Sequence, residues 1–122
     1  MMRILVVDDS AVIRKITRRI LESMRFEVVE AEDGQAALDM CSDRMPEAIF
    51  LDWNMPVMDG YAFLRALRKM HGGAHPKVIF STTENDVAQI ARALHAGANE
   101  YIMKPFDKAL VQSKLEEVGL LA

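Results

Sequence analysis

Two stretches of this chain, Arg3 to Val7 and Ala48 to Leu51, are short, continuously apolar from Ile4 and from Ala48 onward, and run directly into aspartate: Asp8 and Asp9 after the first, Asp52 after the second. A strand with one wet face alternates apolar and polar residues. An unbroken apolar run of this length is instead what a strand shows when both faces of a parallel sheet are covered. Both runs therefore predict buried strands, and each strand delivers carboxylates at its carboxyl end.

The remainder of the chain supplies the covering layers. From Ser10 to Met24 the residues Ile13, Ile16, Ile20 and Met24 recur at helical spacing, with Arg14, Lys15, Arg18 and Arg19 elsewhere around the helix and Ser10 or Asp9 placed to cap it. Glu27 to Ala31 reads as a second strand, and Gly34 to Ser42 as a short helix ending before the Pro46 turn. After Asp59-Gly60, the helix Tyr61 to Met70 offers Phe63, Leu64 and Leu67 to a core and stops at Gly72-Gly73. Lys77 to Ser81 makes a fourth strand. Val87, Ile90, Ala91 and Leu94 mark a helix ending near Gly97, and Glu100 to Met103 a brief fifth strand broken by Pro105. A last helix, from about Asp107 to Val118, has Val111, Leu115 and Val118 on one stripe. Five strands alternating with five helices imply right-handed βαβ units and an α/β doubly wound parallel sheet.

Length and charge narrow the rest. A chain of 122 residues matches one domain of ordinary size, and only four residues follow the last helix, so 1–122 reads as a single domain with no output domain. Charged residues make up 27% and the net charge is −3, which gives neither the basic excess of a nucleic-acid binder nor the composition of a disordered chain. The run Ile4 to Val7 is far too short for a signal peptide or a membrane span, and the lone Cys41 has no partner for an intramolecular disulfide. A cytoplasmic protein without membrane insertion is expected.

In a doubly wound sheet, ligands bind outside the carboxyl ends of the strands. The groups there are Asp8 and Asp9, Asp52, the hydroxyls of Ser81, Thr82 and Thr83, and Lys104. Taken singly, each has an ordinary explanation as a cap, a turn former or a solvated lysine. Together they make one site. Two carboxylates 4 Å apart repel by about 4 kcal/mol at an effective dielectric of 20, so a counter-ion is implied. Oxygen donors with room for water or phosphate suit Mg²⁺ better than zinc. A divalent metal, a lysine and a hydroxyl are what the equatorial oxygens of a phosphoryl group need, and one carboxylate remains as nucleophile.

The pieces Leu5-Val-Val-Asp-Asp9, Leu51-Asp-Trp-Asn-Met-Pro56 with Met58-Asp-Gly60, Thr82, Gly97-Ala98, and Tyr101 with Lys104-Pro-Phe106 closely resemble the receiver domain of two-component response regulators, especially the single-domain chemotaxis (CheY-like) type. The resemblance spans essentially the whole chain. It implies a flavodoxin-like sheet of order 2-1-3-4-5, the order already known for this family. By position it further implies phosphorylation of Asp52 by a histidine kinase or phosphotransfer protein, and Mg²⁺ on Asp9, Asp52 and the backbone carbonyl of Asn54, with Asp8 acting through a water. Lys104 would pair with the phosphoryl group, Thr82 would hydrogen-bond it, and Tyr101 would turn inward behind it; the Lys104-Pro105 bond would be cis. Thr82 is chosen over Ser81 and Thr83 by its family spacing to Lys104, since strand alternation leaves the three open. Asn54 and Glu84 occupy positions resembling those that tune autodephosphorylation, while Thr83 is bulkier than the family's usual residue. The switched surface would be that of the fourth helix, fifth strand and fifth helix, read by a motor, a kinase or another regulator, with the chain acting as a monomer.

Other readings are open at this point. A phosphate sink or phosphorelay intermediate would use the same site. A Mg²⁺-dependent small-molecule phosphohydrolase is disfavoured because no cap segment interrupts the short loops and Asp52-Trp-Asn54 lacks a second aspartate. The basic residues Arg14, Lys15, Arg18, Arg19 and Arg25 fit either an acidic docking partner or a solvated helix face. His71, His75 and His95 read as loop or surface residues. Trp53, next to the candidate phosphoacceptor, is a natural fluorescence reporter.

Overall fold

The computed structural model describes residues 1–83 and 87–122. The strands β1 (Arg3–Val7), β2 (Glu27–Ala31), β3 (Ala48–Asp52), β4 (Lys77–Thr82) and β5 (Glu100–Met103) alternate with the helices α1 (Ala11–Ser23), α2 (Gly34–Asp43), α3 (Gly60–Lys69), α4 (Val87–Ala96) and α5 (Lys108–Glu117). All neighbouring strands pair in parallel, in the order β2-β1-β3-β4-β5. Because side chains alternate along a strand, each apolar run feeds two cores. Leu5, Val7, Ile49, Leu51, Val78 and Phe80 pack against residues of α2, α3 and α4. Ile4, Val6, Phe50, Ile79 and Ile102 pack on the other face against Leu21 of α1 and Val111 and Leu115 of α5. The unbroken apolar sequence of β1 and β3 is thus the direct result of two buried faces. Cys41 lies in the first of these cores, where burial, opposed by the charge of Arg3, pushes its thiol up to about 11 and leaves it unreactive.

The helix starts show which aspartates are free for chemistry. Ser10 caps α1 by accepting from the Ile13 N–H at 3.3 Å. Asp33, Asp59 and Asp107 cap α2, α3 and α5, accepting from Ala36, Ala62 and Leu110 at 2.8, 2.8 and 2.9 Å. None of the strand-end residues Asp8, Asp9 and Asp52 serves as the cap of a helix.

In two helices part of the predicted apolar stripe lies outside the core. In α1 the buried residues are Thr17 and Leu21, whereas Ile16 is 46% exposed. Thr17 tolerates the core because its hydroxyl donates to the Ile13 carbonyl at 2.8 Å, and Arg14 and Arg18 fix the helix rotation by pairing with Glu30 of β2 at 3.0 and 2.6 Å. In α4 only Ala93 is buried, while Val87 and Leu94 are 77% and 41% exposed. Beyond β4 this helix has only the four-residue edge strand β5 to cover, so part of its apolar surface stays in water.

At the end of α1, Arg25 adopts the left-handed region at φ 70°, with its N–H donating to the Glu22 carbonyl at 3.0 Å and that of Phe26 to Leu21 at 3.2 Å. This is the double hydrogen bond that glycine usually closes. A side chain here costs roughly 1–2 kcal/mol, partly offset by the greater chain entropy glycine loses on folding. Arg25→Gly is therefore expected to raise stability by about 1 kcal/mol, read as a higher urea midpoint at unchanged slope; a lowered midpoint would contradict the assignment.

A carboxylate cluster at the carboxyl edge of the sheet

The parallel register aligns Val7 with Leu51, Asp52 with Ser81 and Thr82 with Met103, so the residues that follow these strands leave the sheet side by side. Asp8, Asp52 and Thr82 are buried at 3%, 9% and 4% exposure, and Asp9 is exposed. One carboxylate oxygen from each of Asp8, Asp9 and Asp52 lies within 4.8 Å of the others. The Lys104 ammonium reaches across the site to both buried carboxylates, at 2.7 Å from Asp8 Oδ2 and 3.1 Å from Asp52 Oδ1. Asp8 is held further by the Ser10 N–H, which donates to its Oδ1 at 2.9 Å. The Arg14 guanidinium donates to the Asp8 peptide carbonyl at 2.6 Å. The peptide joining Lys104 to Pro105 is cis, and the Lys104 N–H donates to the Thr82 carbonyl at 2.9 Å.

Close packing behind the site fixes Asp52. A Cβ added to Gly60 would sit 2.4 Å from the Asp52 carbonyl oxygen, and the Gly60 N–H donates to the Trp53 carbonyl at 2.9 Å. Only glycine lets α3 begin so near the end of β3. Trp53 turns away into the core, edge-on to Tyr61 with ring centroids 5.8 Å apart and 5.0 Å from Phe80. As a reporter it therefore senses α3 as much as the cluster itself.

The electrostatics follow from burial. Asp52 has a raised pKa because burial disfavours its charge and Asp8 adds repulsion, which the charge and hydrogen bond of Lys104 and a backbone N–H only partly offset. For Lys104, burial works against the charge, but hydrogen bonds and attraction from Asp8 and Asp52 outweigh it and the pKa is raised. Ammonium and carboxylates thus hold one another in place, with net negative character left over.

Of the three candidate hydroxyls, that of Ser81 donates to the Leu51 carbonyl at 3.4 Å, Thr83 is exposed, and Thr82 lies buried at the end of β4. The Thr82 hydroxyl donates to Gln89 Oε1 of α4 at 3.3 Å. Asn54 is exposed in the loop after β3, and Tyr101 is half-buried on β5 with its ring 6.4 Å from that of Phe80. Glu84 lies outside the described residues. Gln89 and Arg14 were not expected at the site. Arg14 reads simply as part of a basic helix, and the place of Gln89 depends on how α4 leans on β4.

This geometry coincides with a sequence match. The family model for the response regulator receiver domain matches residues 4–116. The chain belongs to the response regulator receiver domain family. This receiver domain is 37% identical over 118 residues to the chemotaxis protein CheY of Pseudomonas aeruginosa, the match covering 96% of this chain and 95% of that protein. It is 39% identical over 121 residues to chemotaxis protein CheY1 of Helicobacter pylori, covering 96% of each. Among solved structures, Vibrio cholerae CheY4 superposes with a TM-score of 0.92 at 31% identity over 97% of this chain and 98% of that one. The receiver domain of a Pseudomonas aeruginosa sensor histidine kinase, with a magnesium ion coordinated in its active site cleft, gives 0.87 at 30% identity over 94% of each. Among the described residues no helix of the receiver is long and apolar enough to cross a membrane.

The raised pKa of Asp52 fixes the sign of a stability effect in metal-free protein. The folded state binds the Asp52 proton more tightly than the unfolded state, so stability falls as pH rises from the ordinary carboxylate range through the raised value. Asp52→Asn is expected to raise the melting temperature in chelator-treated buffer near neutral pH. The gain should vanish below about pH 4, where the unfolded carboxyl is also protonated. A gain independent of pH, or a loss at neutral pH, would contradict the electrostatic reading.

Proposed function

We propose that this receiver domain is a cytoplasmic, monomeric single-domain response regulator that accepts a phosphoryl group on Asp52 from a histidine kinase or phosphotransfer protein. The observation that carries the reading is the buried Asp52 carboxylate, held between a second carboxylate and the bridging ammonium of Lys104. An Asp52 oxygen attacks phosphorus, a P–O bond forms, and the P–N bond of a phosphohistidine breaks with its electron pair left on the imidazole. Asp9, Asp52 and the backbone carbonyl of Asn54 would hold Mg²⁺, with Asp8 acting through a water. Three clustered oxygen donors, one of them exposed, fit a hard cation that keeps positions for water and phosphate. When bound, the ion neutralises charge on the phosphoryl oxygens. Lys104 pairs with the incoming phosphoryl group, and Thr82 donates its hydroxyl to it.

Phosphorylation adds about −1.5 to −2 charge at a site already net negative, so nearby donors are drawn inward. Thr82 must exchange Gln89 for the phosphoryl group, which links the site to α4. Tyr101 follows into the vacated space, and its neighbour Lys114, 4.9 Å from its ring centroid and 3.4 Å from Glu100, carries the change to α5. The surface of α4, β5 and α5 is then the face read by a protein target, such as a motor, a kinase or another regulator of chemotaxis or motility. Exposed Val87 and Leu94 on α4 give such a target apolar contacts.

Titration with Mg²⁺ and then acetyl phosphate is expected to change Trp53 emission and to add one phosphoryl group by mass spectrometry, both dependent on Asp52. Absence of the adduct would sink the reading. Decay of that adduct should change in Asn54→Ala and Glu84→Ala while their melting temperatures stay put.

The Thr82–Gln89 bond makes a separate prediction for the switch. Losing a hydrogen bond of about 1 kcal/mol that holds the resting state should tighten binding of a beryllofluoride phosphoryl analogue, in the presence of Mg²⁺, by up to about fivefold. Gln89→Ala is the variant to measure. Weaker binding would show that Gln89 supports the active arrangement instead.

A further inference from the structure

On the face carrying α2, α3 and α4, away from the carboxylate cluster, α3 and α4 enclose an open groove. Its central part, about 410 Å³, is lined by Tyr61, Arg65, Arg68, Lys69, His95 and Ala96. It continues along α4 past Ala91 and Arg92, and over α3 past Ala62 and Ala66. In a chain of net charge −3 this is a concentration of the opposite sign. Among the described residues Arg65, Lys69 and Arg92 have no carboxylate within salt-bridge distance. The half-buried Arg68 is satisfied by neutral acceptors, the carbonyls of Gly97, Gly73 and Pro76 and the side chain of Asn99 at 2.7 to 3.1 Å, so its charge is not cancelled. Tyr61 organises the centre, with the Arg92 guanidinium 4.5 Å and that of Arg65 5.7 Å from its ring centroid.

We propose that the α3–α4 groove docks an acidic polypeptide segment of a partner protein, presented as a helix with carboxylates four residues apart. Three features select that occupant. The cations stand on alanine-floored helix surfaces, where another backbone can approach closely. Tyr61, Arg65 and Lys69 follow one another at four-residue steps along α3, a repeat of about 6 Å that a helix with Glu at every fourth position reproduces. Finally, Arg65 and Lys69 lie in the second half of α3, and Arg92 and His95 in that of α4, so the cations are spread along two helices and away from their N-termini. A compact polyphosphate, which binds best at helix N-termini, is poorly served there, whereas spaced carboxylates meet the cations one at a time. Trp53 lies edge-on to Tyr61 and supplies an internal reporter.

The test uses the whole chain without Mg²⁺ or phosphoryl donor, so its outcome is separate from phosphorylation of Asp52. An Ala/Gln peptide of about 16 residues, roughly four helical turns, carries Glu at every fourth position; a scrambled peptide and inorganic triphosphate are the comparisons. The patterned peptide is expected to shift Trp53 emission, to weaken with salt, and to lose about tenfold in affinity in Arg65→Ala/Arg92→Ala but not in Lys15→Ala/Arg19→Ala. Thermal melts of the variants check folding. Arg65→Glu/Arg92→Glu is expected to bind the matching lysine-patterned peptide instead. Equal loss in both alanine pairs, or equal binding of the scrambled peptide, overturns the proposal as nonspecific attraction. Tighter binding of triphosphate through the same arginines overturns it in favour of a small anion. Self-association abolished by Arg65→Ala/Arg92→Ala, with no peptide binding, assigns the groove to a second copy of the chain and overturns it as well.

Discussion

The ammonium of Lys104 between Asp8 and Asp52 is the contact on which the rest of the site depends. Two buried carboxylates at hydrogen-bond distance from one cation would repel strongly without it, and burial removes the water that would otherwise screen them. The lysine reaches them from a residue 96 positions away from Asp8, and only the pairing of β1, β3, β4 and β5 brings the two ends together. Burial, with repulsion from Asp8 added, outweighs what the cation and its hydrogen bond offset, so Asp52 keeps a raised pKa. The cluster's residual negative charge is what the divalent cation proposed above would neutralise.

The sheet is built to make this edge rigid. Each of β1, β3 and β4 is buried on both faces, so strand ends cannot shift without disturbing two cores at once. Gly60 lets α3 start against the Asp52 carbonyl, and Ser10 caps α1 immediately after the acidic pair. Against this fixed frame α4 stands out: one buried residue, several exposed apolar ones, and a side chain, Gln89, tied to the hydroxyl at the end of β4. A helix so lightly buried is, in the switch proposed above, the element that a new charge at the sheet edge would move. The same lightness leaves its other flank, toward α3, open as a basic groove.

Much of this was legible in the chain before folding. Unbroken apolar runs reported strands covered on both faces, and the aspartates, hydroxyls and lysine after those runs reported one shared edge. Helix rotation was not legible. Ile16 has the spacing of a core residue, but Thr17 takes the buried position because its hydroxyl is satisfied within the helix and Glu30 anchors the arginines on the opposite side. Apolar spacing in α4 likewise overstated burial, since spacing reports periodicity and not how much sheet lies opposite the helix.

The sequence by itself determined the class of sheet, the residues delivered to its carboxyl edge and their acid, hydroxyl and cation chemistry, because those depend on side-chain type and on the period of two along a strand. Tertiary structure alone decided which groups meet. It set Lys104 on both Asp8 and Asp52, gave the Ser81 hydroxyl to a backbone carbonyl, tied Thr82 to Gln89, and gathered arginines of α3 and α4 around Tyr61. Those outcomes rest on distances across the fold, and a linear pattern carries no information about which turn of one helix faces which turn of another.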